Sequence, residues 1–215
     1  MANISTANGE LTIIAECDKK EFRKFQKALN EYLQRGEYGA DFYETDKFKF
    51  ENGKCETTVG FHGWGRWTFD ENLRRFFIAW ADYYFANSND LNLKFLMPFS
   101  FKLIFDFVDY EDGQQLLYTE KASIEHKANA PWKETSFEVL SYEDLEFTAD
   151  NLIDYGAVDD DELIEVTDAS SLRDFLDNEA DDISDSELET YAKNHRGEIL
   201  HNWEISDVVD EMREY

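Results

Sequence analysis

The chain has 215 residues and carries 48 acidic against 21 basic side chains, a formal net charge of −27, with 42% hydrophobic and 16% aromatic residues. So many aromatics exclude a wholly disordered acidic tail. So few cations exclude ordinary binding to nucleic acid or to an anionic membrane, both of which need a basic surface.

Met1 to Gly9 has neither a basic start nor an apolar stretch, so no signal peptide is expected. Glu10 to Glu16 reads as a short strand with Leu11, Ile13 and Ala15 on one face. Asp18 is placed to N-cap a helix, with Glu21 as its capping-box partner. Phe22, Phe25, Leu29, Tyr32 and Leu33 follow at helical spacing, and Gly36 is the expected stop. Phe42 to Phe50 and Lys54 to Phe61 read as strands joined at Asn52-Gly53, a strong hairpin signal.

A second helix is predicted from about Asp70 to Ala86, with Leu73, Phe76, Phe77, Trp80, Ala81 and Tyr84 as its apolar stripe. Leu93 to Phe99 is the next predicted strand, followed by Phe101 to Val108 and Gln115 to Glu125, which turn at Glu111-Asp112-Gly113. The order strand, helix, strand, strand, helix, strand is that of a ferredoxin-like antiparallel sandwich, here extended by a hairpin. That pattern serves many functions and names none.

Pro131 and Trp132 mark the expected joint, giving residues 1–133 as the ferredoxin-like α+β domain and 134–215 as a small, mainly helical acidic domain. In the latter, Glu143 to Asp154, Ser170 to Asn178, Ser184 to Asn194 and Ser206 to Glu214 read as short helices. Ser184 with Glu187 is a second capping box, and Gly197 a stop. The charge divides at the same joint. Residues 1–133 hold 21 acids and 17 bases, a net of −4, whereas 134–215 hold 27 acids and four bases, a net of −23.

No apolar run approaches the roughly 20 residues of a membrane span. Cys17 and Cys55, the two cysteines, form no disulfide framework and read as reduced thiols of a cytoplasmic protein. Salt adaptation is a poor explanation of the acidity, since 18 phenylalanines and 11 tyrosines remain.

Asp159-Asp160-Asp161-Glu162 is the densest anionic run, but adjacent side chains point apart and the calcium-loop glycine is missing. Asp109 to Glu120 has acids at its first, third and twelfth places, yet Gly113 falls fifth and the flanks read as strands, so a hairpin is expected there. No metal site and no cofactor are assigned. His195 and His201 lie among carboxylates, but no nucleophile motif or phosphate loop accompanies them, so no catalytic residue is assigned. Phe61-His62-Gly63-Trp64-Gly65-Arg66-Trp67 reads as a strand-to-helix connection whose Trp rings close the core, or as a ligand-stacking site.

Concentrating like charge costs stability, so the field invites a use. Duplex DNA carries one charge per about 1.7 Å, so the excess in 134–215 matches about 39 Å of duplex. A basic groove would be steered onto it, the encounter weakening with salt. The residues expected to meet it are Asp159, Asp160, Asp161, Glu162, Glu165, Asp168, Asp174, Asp177, Asp181, Asp182, Asp185 and Glu187. Trp203, Tyr155 and Trp132 are candidate anchors, since hot spots favour Trp and Tyr.

With Asp159-Asp160-Asp161-Glu162 and Asp181-Asp182-Ile183-Ser184-Asp185 in a compact aromatic-rich chain, the sequence resembles the acidic DNA-mimic proteins of phages and mobile elements. These act against restriction enzymes and CRISPR effectors. The resemblance implies a non-enzymatic inhibitor in the host cytoplasm whose partner is the basic nucleic-acid-binding groove of a defence complex. Two other readings stand beside it: an interaction module using the sheet or the Trp64–Trp67 stretch, and a metal-dependent enzyme of the acid-rich region.

Overall fold

The computed structural model describes residues 4–34, 39–79, 98–111, 115–130, 134–158, 163–176, 183–197 and 199–201. The chain is mixed α and β and divides into two compact units, Met1–Glu146 and Phe147–Tyr215.

The first unit holds a six-stranded, wholly antiparallel sheet built from β1 (Ile4–Ala15), β2 (Ala40–Glu51), β3 (Lys54–Arg66), β4 (Phe101–Glu111), β5 (Leu116–His126) and β6 (Ser136–Asp144). The spatial order is β2-β3-β1-β4-β5-β6. Helix α1 (Lys19–Leu33) lies between β1 and β2 in the chain. Helix α2 (Phe69–Arg74) follows β3 and runs into a π-helical turn, Arg75–Ala79.

Period-two alternation sets the buried face of the sheet. Ala7, Leu11, Ile13 and Ala15 of β1 are buried together with Cys55, Val59 and Phe61 of β3 and Phe101, Leu103, Phe105 and Phe107 of β4. Helix α1 covers them with Phe22, Phe25, Leu29, Tyr32 and Leu33. Its start is held by the expected box: Asp18 Oδ1 accepts from the backbone N–H of Lys20 and Glu21, each at 2.8 Å. Tyr32 donates its hydroxyl to the Phe76 carbonyl at 2.5 Å, giving a buried partner to a carbonyl inside the π-helical turn.

The Asn-Gly signal is realised. Asn52 and Gly53 both take positive φ, 51° and 77°, the requirement of a tight two-residue hairpin between β2 and β3. Strand β3 runs on to Arg66, so most of the Gly-Trp stretch is strand rather than connection. Its glycines serve the helix. A Cβ on Gly63 would stand 2.4 Å from the Phe69 ring, and one on Gly65 would stand 2.5 Å from the Thr68 carbonyl oxygen. The Trp rings do not close the core, because Trp64 alternates to the opposite face and Trp67 is 46% exposed.

Two expectations are corrected. The break falls after Glu146, not Lys133, because 136–144 pairs with β5 as an edge strand. For the same reason Glu143 and Asp144 end a strand, and the helix starts only at Ala149. The joint at Pro131-Trp132, the stop at Gly36, the strand at 93–97, the helix beyond Ala79 and the turn at Asp112-Gly113 lie outside the described residues.

In the second unit, α3 (Ala149–Asp154), α4 (Ala169–Leu176) and α5 (Asp185–Asn194) accompany a two-stranded antiparallel sheet of β7 (Leu163–Glu165) and β8 (Ile199–His201). This pair, whose strands are separated in the chain by α4 and α5, departs from the helical pattern of the sequence. Val166, Leu172, Leu176, Ile183, Leu188, Tyr191 and Ala192 form the core of this unit. The fourth predicted helix, 206–214, lies outside the described residues. Among the described residues, no helix is long and apolar enough to cross a membrane.

Candidate functional site

Of the acids expected to meet a partner, Asp159, Asp160, Asp161, Glu162, Asp177, Asp181 and Asp182 lie outside the described residues, as does Trp203. Glu165 belongs to β7 and Asp174 to α4. Asp168, Asp185 and Glu187 are exposed, and each has a local structural use. Asp168 Oδ1 accepts from the backbone N–H of Ser170 at 2.8 Å, at the start of α4. Asp185 pairs with Arg173. Glu187 accepts from the Ser184 backbone N–H at 2.8 Å, while Ser184 Oγ accepts from the Glu187 N–H at 3.4 Å. On α5, Leu188, Tyr191 and Ala192 are buried, and Asp185, Glu187 and Glu189 face outward. Moving the break to Glu146 leaves 22 acids and four bases in the second unit, a net of −18, and 26 acids and 17 bases in the first, a net of −9.

A second acidic constellation is buried in the first unit. Asp109, Glu111 and Glu120 were legible as acids spaced along one stretch; the hairpin of β4 and β5 puts them on the face that bears the core. Asp109 stands directly opposite Tyr118, and Glu120 opposite Phe107. The apolar alternation 101, 103, 105, 107 is the signal that could have located them, since it continues to 109 and 111.

Asp109 is fully buried and acts as a cap from another strand. Its Oδ2 accepts from the Phe69 backbone N–H at 2.7 Å and from the Tyr118 hydroxyl at 2.5 Å. Thr68, the N-cap of α2, makes no side-chain capping bond; its hydroxyl donates to Asp70 at 2.6 Å. Asp109 therefore takes one of the N–H groups that every helix start leaves unmet. Its other oxygen, Oδ1, and Oε1 of Glu120 are buried without a hydrogen-bond partner.

Burial pushes the Asp109 carboxyl up to about 7, against the lowering effect of the Phe69 N–H and the Tyr118 and Ser5 hydroxyls and with a further upward push from Asp70. Burial, then Asp70, likewise raises Glu120 to about 7, with Arg74 opposing. Arg74 is shared: its Nε lies 3.4 Å from Asp70, and its guanidinium sits 4.1 Å over the Phe137 ring. Burial and the neighbouring Asp109 charge hold Tyr118 as a hydroxyl donor. Chemically, these are two buried carboxyls whose protons are held far more tightly than those of ordinary carboxylic acids.

Elsewhere, a cavity of about 360 Å³ is lined by Ile14, Lys54, Phe101, Lys102, His126 and Lys127 among others. Two of its lysines are engaged, Lys54 with Glu16 at 3.4 Å and Lys102 with Glu125 at 2.5 Å. Burial lowers His126, favouring its neutral form, and its Nδ1 lies 2.9 Å from the Thr135 hydroxyl. His195 caps α5 and stacks on Tyr191 with ring centroids 3.9 Å apart. Both cysteines are buried free thiols, Cys55 Sγ donating to the Cys17 carbonyl at 3.4 Å. Burial pushes Cys17 up to about 12, which removes the reactive thiolate at neutral pH.

Comparisons with protein-family models, with curated proteins and with solved structures find no match to this chain.

Proposed function

We propose that the protein is a non-enzymatic inhibitor of the phage and mobile-element type, acting in the host cytoplasm by occupying the basic nucleic-acid-binding groove of a defence complex such as a CRISPR effector or restriction enzyme. We read residues 1–146 as a ferredoxin-like sandwich extended by a hairpin, and 147–215 as its acidic appendage. The strand order β4-β1-β3-β2, with helices after β1 and β3, supports the first reading.

The observation that carries the function is the net charge of −18 in a unit whose helix α5 turns Asp185, Glu187 and Glu189 outward from an apolar core. At duplex spacing that charge answers to about 31 Å of DNA. Tyr155, 43% exposed in the same unit, supplies an aromatic anchor of the kind that specific interfaces use.

The test replaces Asp159, Asp160, Asp161, Glu162, Asp181 and Asp182 by Asn or Gln and leaves Asp168, Asp185 and Glu187 in their structural roles. Purified CRISPR effectors and restriction enzymes are then challenged with labelled duplex in competition with each protein. The expected result is a loss of competition of about tenfold or more, with a shallower salt dependence. Equal competition by the neutralised protein would end the mimicry reading.

A second reading rests on Trp67, a large exposed ring held at a φ of 77° where bulky residues are rare. If the Trp64–Trp67 stretch is the binding site, Trp67→Ala abolishes partner binding while the neutralised protein retains it.

A further inference from the structure

The head of α2 joins three unusual features within a few residues. Trp67 sits in the left-handed region, Phe69 is pinned through its backbone to a buried carboxyl, and two carboxyl oxygens beneath it are buried without partners. We propose that Asp109 and Glu120 form a proton-operated latch on the head of α2, seating the Trp67–Phe69 segment while the pair holds a proton and loosening it when both carboxyls ionise.

The charge inventory supports this direction. Facing the pair are Asp70 and Arg74 of α2, Ser5 of β1, Glu111 of β4, Tyr118 of β5, and Tyr142 and Asp144 of β6. Arg74 is the one cation among these groups, and it is shared with Asp70. A second ionisation therefore adds negative charge to a site already rich in it, where burial of Asp109 and Glu120 keeps water from screening it fully. An ionised carboxylate also needs several donors; Oδ1 of Asp109 and Oε1 of Glu120 accept no hydrogen bond of ordinary geometry, the Ser5 hydroxyl being a further donor near Asp109.

The seated state is well defined. Phe69 stacks on Phe61 with centroids 5.4 Å apart and meets Phe107 edge-on at 5.3 Å. Gly63 and Gly65 let the segment approach the strand this closely. Backbone strain at Trp67 is tolerated only while the surrounding contacts hold, so the strained residue pulls against the latch. Both carboxyls titrate at about 7, far above the ordinary carboxylate range. Their folded values are raised, so their contribution to stability is full below the unfolded range near pH 4 and is lost as pH rises through about 7.

The test is a pH titration of the full chain by NMR, from below to above neutrality, following the Phe69 amide and the Trp67 indole, with urea midpoints measured in parallel. The Phe69 amide is expected to titrate with a midpoint near 7, the Trp67 signals moving with it. In Asp109→Asn the amide oxygen still accepts from Phe69, so that amide should stay put across the range. Glu120→Gln, which leaves Asp109 in place, should shift the remaining midpoint downward. Repulsion among the 48 acids also lowers the urea midpoint as pH rises, in every variant alike. The double variant isolates the latch by losing at least half of the wild-type drop. A Phe69 amide that does not titrate, or an undiminished drop in the double variant, overturns the proposal.

Discussion

Two sets of acids, one in each unit, meet opposite surroundings. In the first, Asp109, Glu111 and Glu120 are taken into the interior, at the cost of desolvation that buried donors only partly offset. In the second, Asp168 and Glu187 stay in water and accept from backbone N–H groups at helix starts, while Asp185 pairs with Arg173. A carboxylate's worth is thus set by its surroundings. Buried acids become sensitive to protons, and exposed ones become sensitive to salt.

The largest test of this contrast removes the packing that keeps water from the first unit's acids. Phe61 contacts Phe69, Phe105 and Phe107, so Phe61→Ala should cost about 3–5 kcal/mol in urea unfolding. It should also bring Asp109 back toward ordinary carboxylate titration. Next in size, Tyr118→Phe removes a buried donor to Asp109 and should cost about 1–3 kcal/mol. Since that donor lowers the carboxyl, its loss moves Asp109 further up, which carbon-detected NMR of the side chain would register. The matching change in the second unit, Asp185→Asn, breaks an exposed ion pair and should leave stability unchanged within error.

Ser184→Ala tests whether the second unit depends on its capping box. A loss of about 0.5–2 kcal/mol, read by hydrogen exchange in α5 and absent from α1, is expected. The smallest effect is that of salt. Between about 0.02 M and about 0.5 M NaCl, the second unit's exchange protection should rise by under about 1 kcal/mol, and the first unit's by less. Equal responses would mean that the −18 of the second unit carries no repulsive cost beyond the −9 of the first.

Local chemistry made much of this legible. The Asn52-Gly53 turn and the boxes at Asp18 and Ser184 depend on contacts within a few residues, so the sequence carries them in plain form. The domain joint was less legible. A run such as Ser136 to Asp144 mixes acids with Phe137, Val139, Leu140 and Tyr142, and only pairing with β5 makes it a strand. The buried acids were hardest of all. Their spacing suggested an ion loop or a turn, whereas their chemistry comes from register and from a helix start some 40 residues away. Register across two strands decides which face an acid takes, and a composition-led reading gives it no weight.

The position of β1 in the sheet has a consequence for biogenesis. It is flanked by β3 on one side and β4 on the other, with Leu11 facing both Val59 and Phe105. A chain emerging from the ribosome can pair β1 with β3 once Arg66 is out, but must wait for Glu111 before the other side is covered. At about 5–20 residues per second that interval is a few seconds, during which one flank of the central strand is an open edge. Late arrival of β4 also brings Asp109, so the head of α2 gains its cap only at the end of that wait.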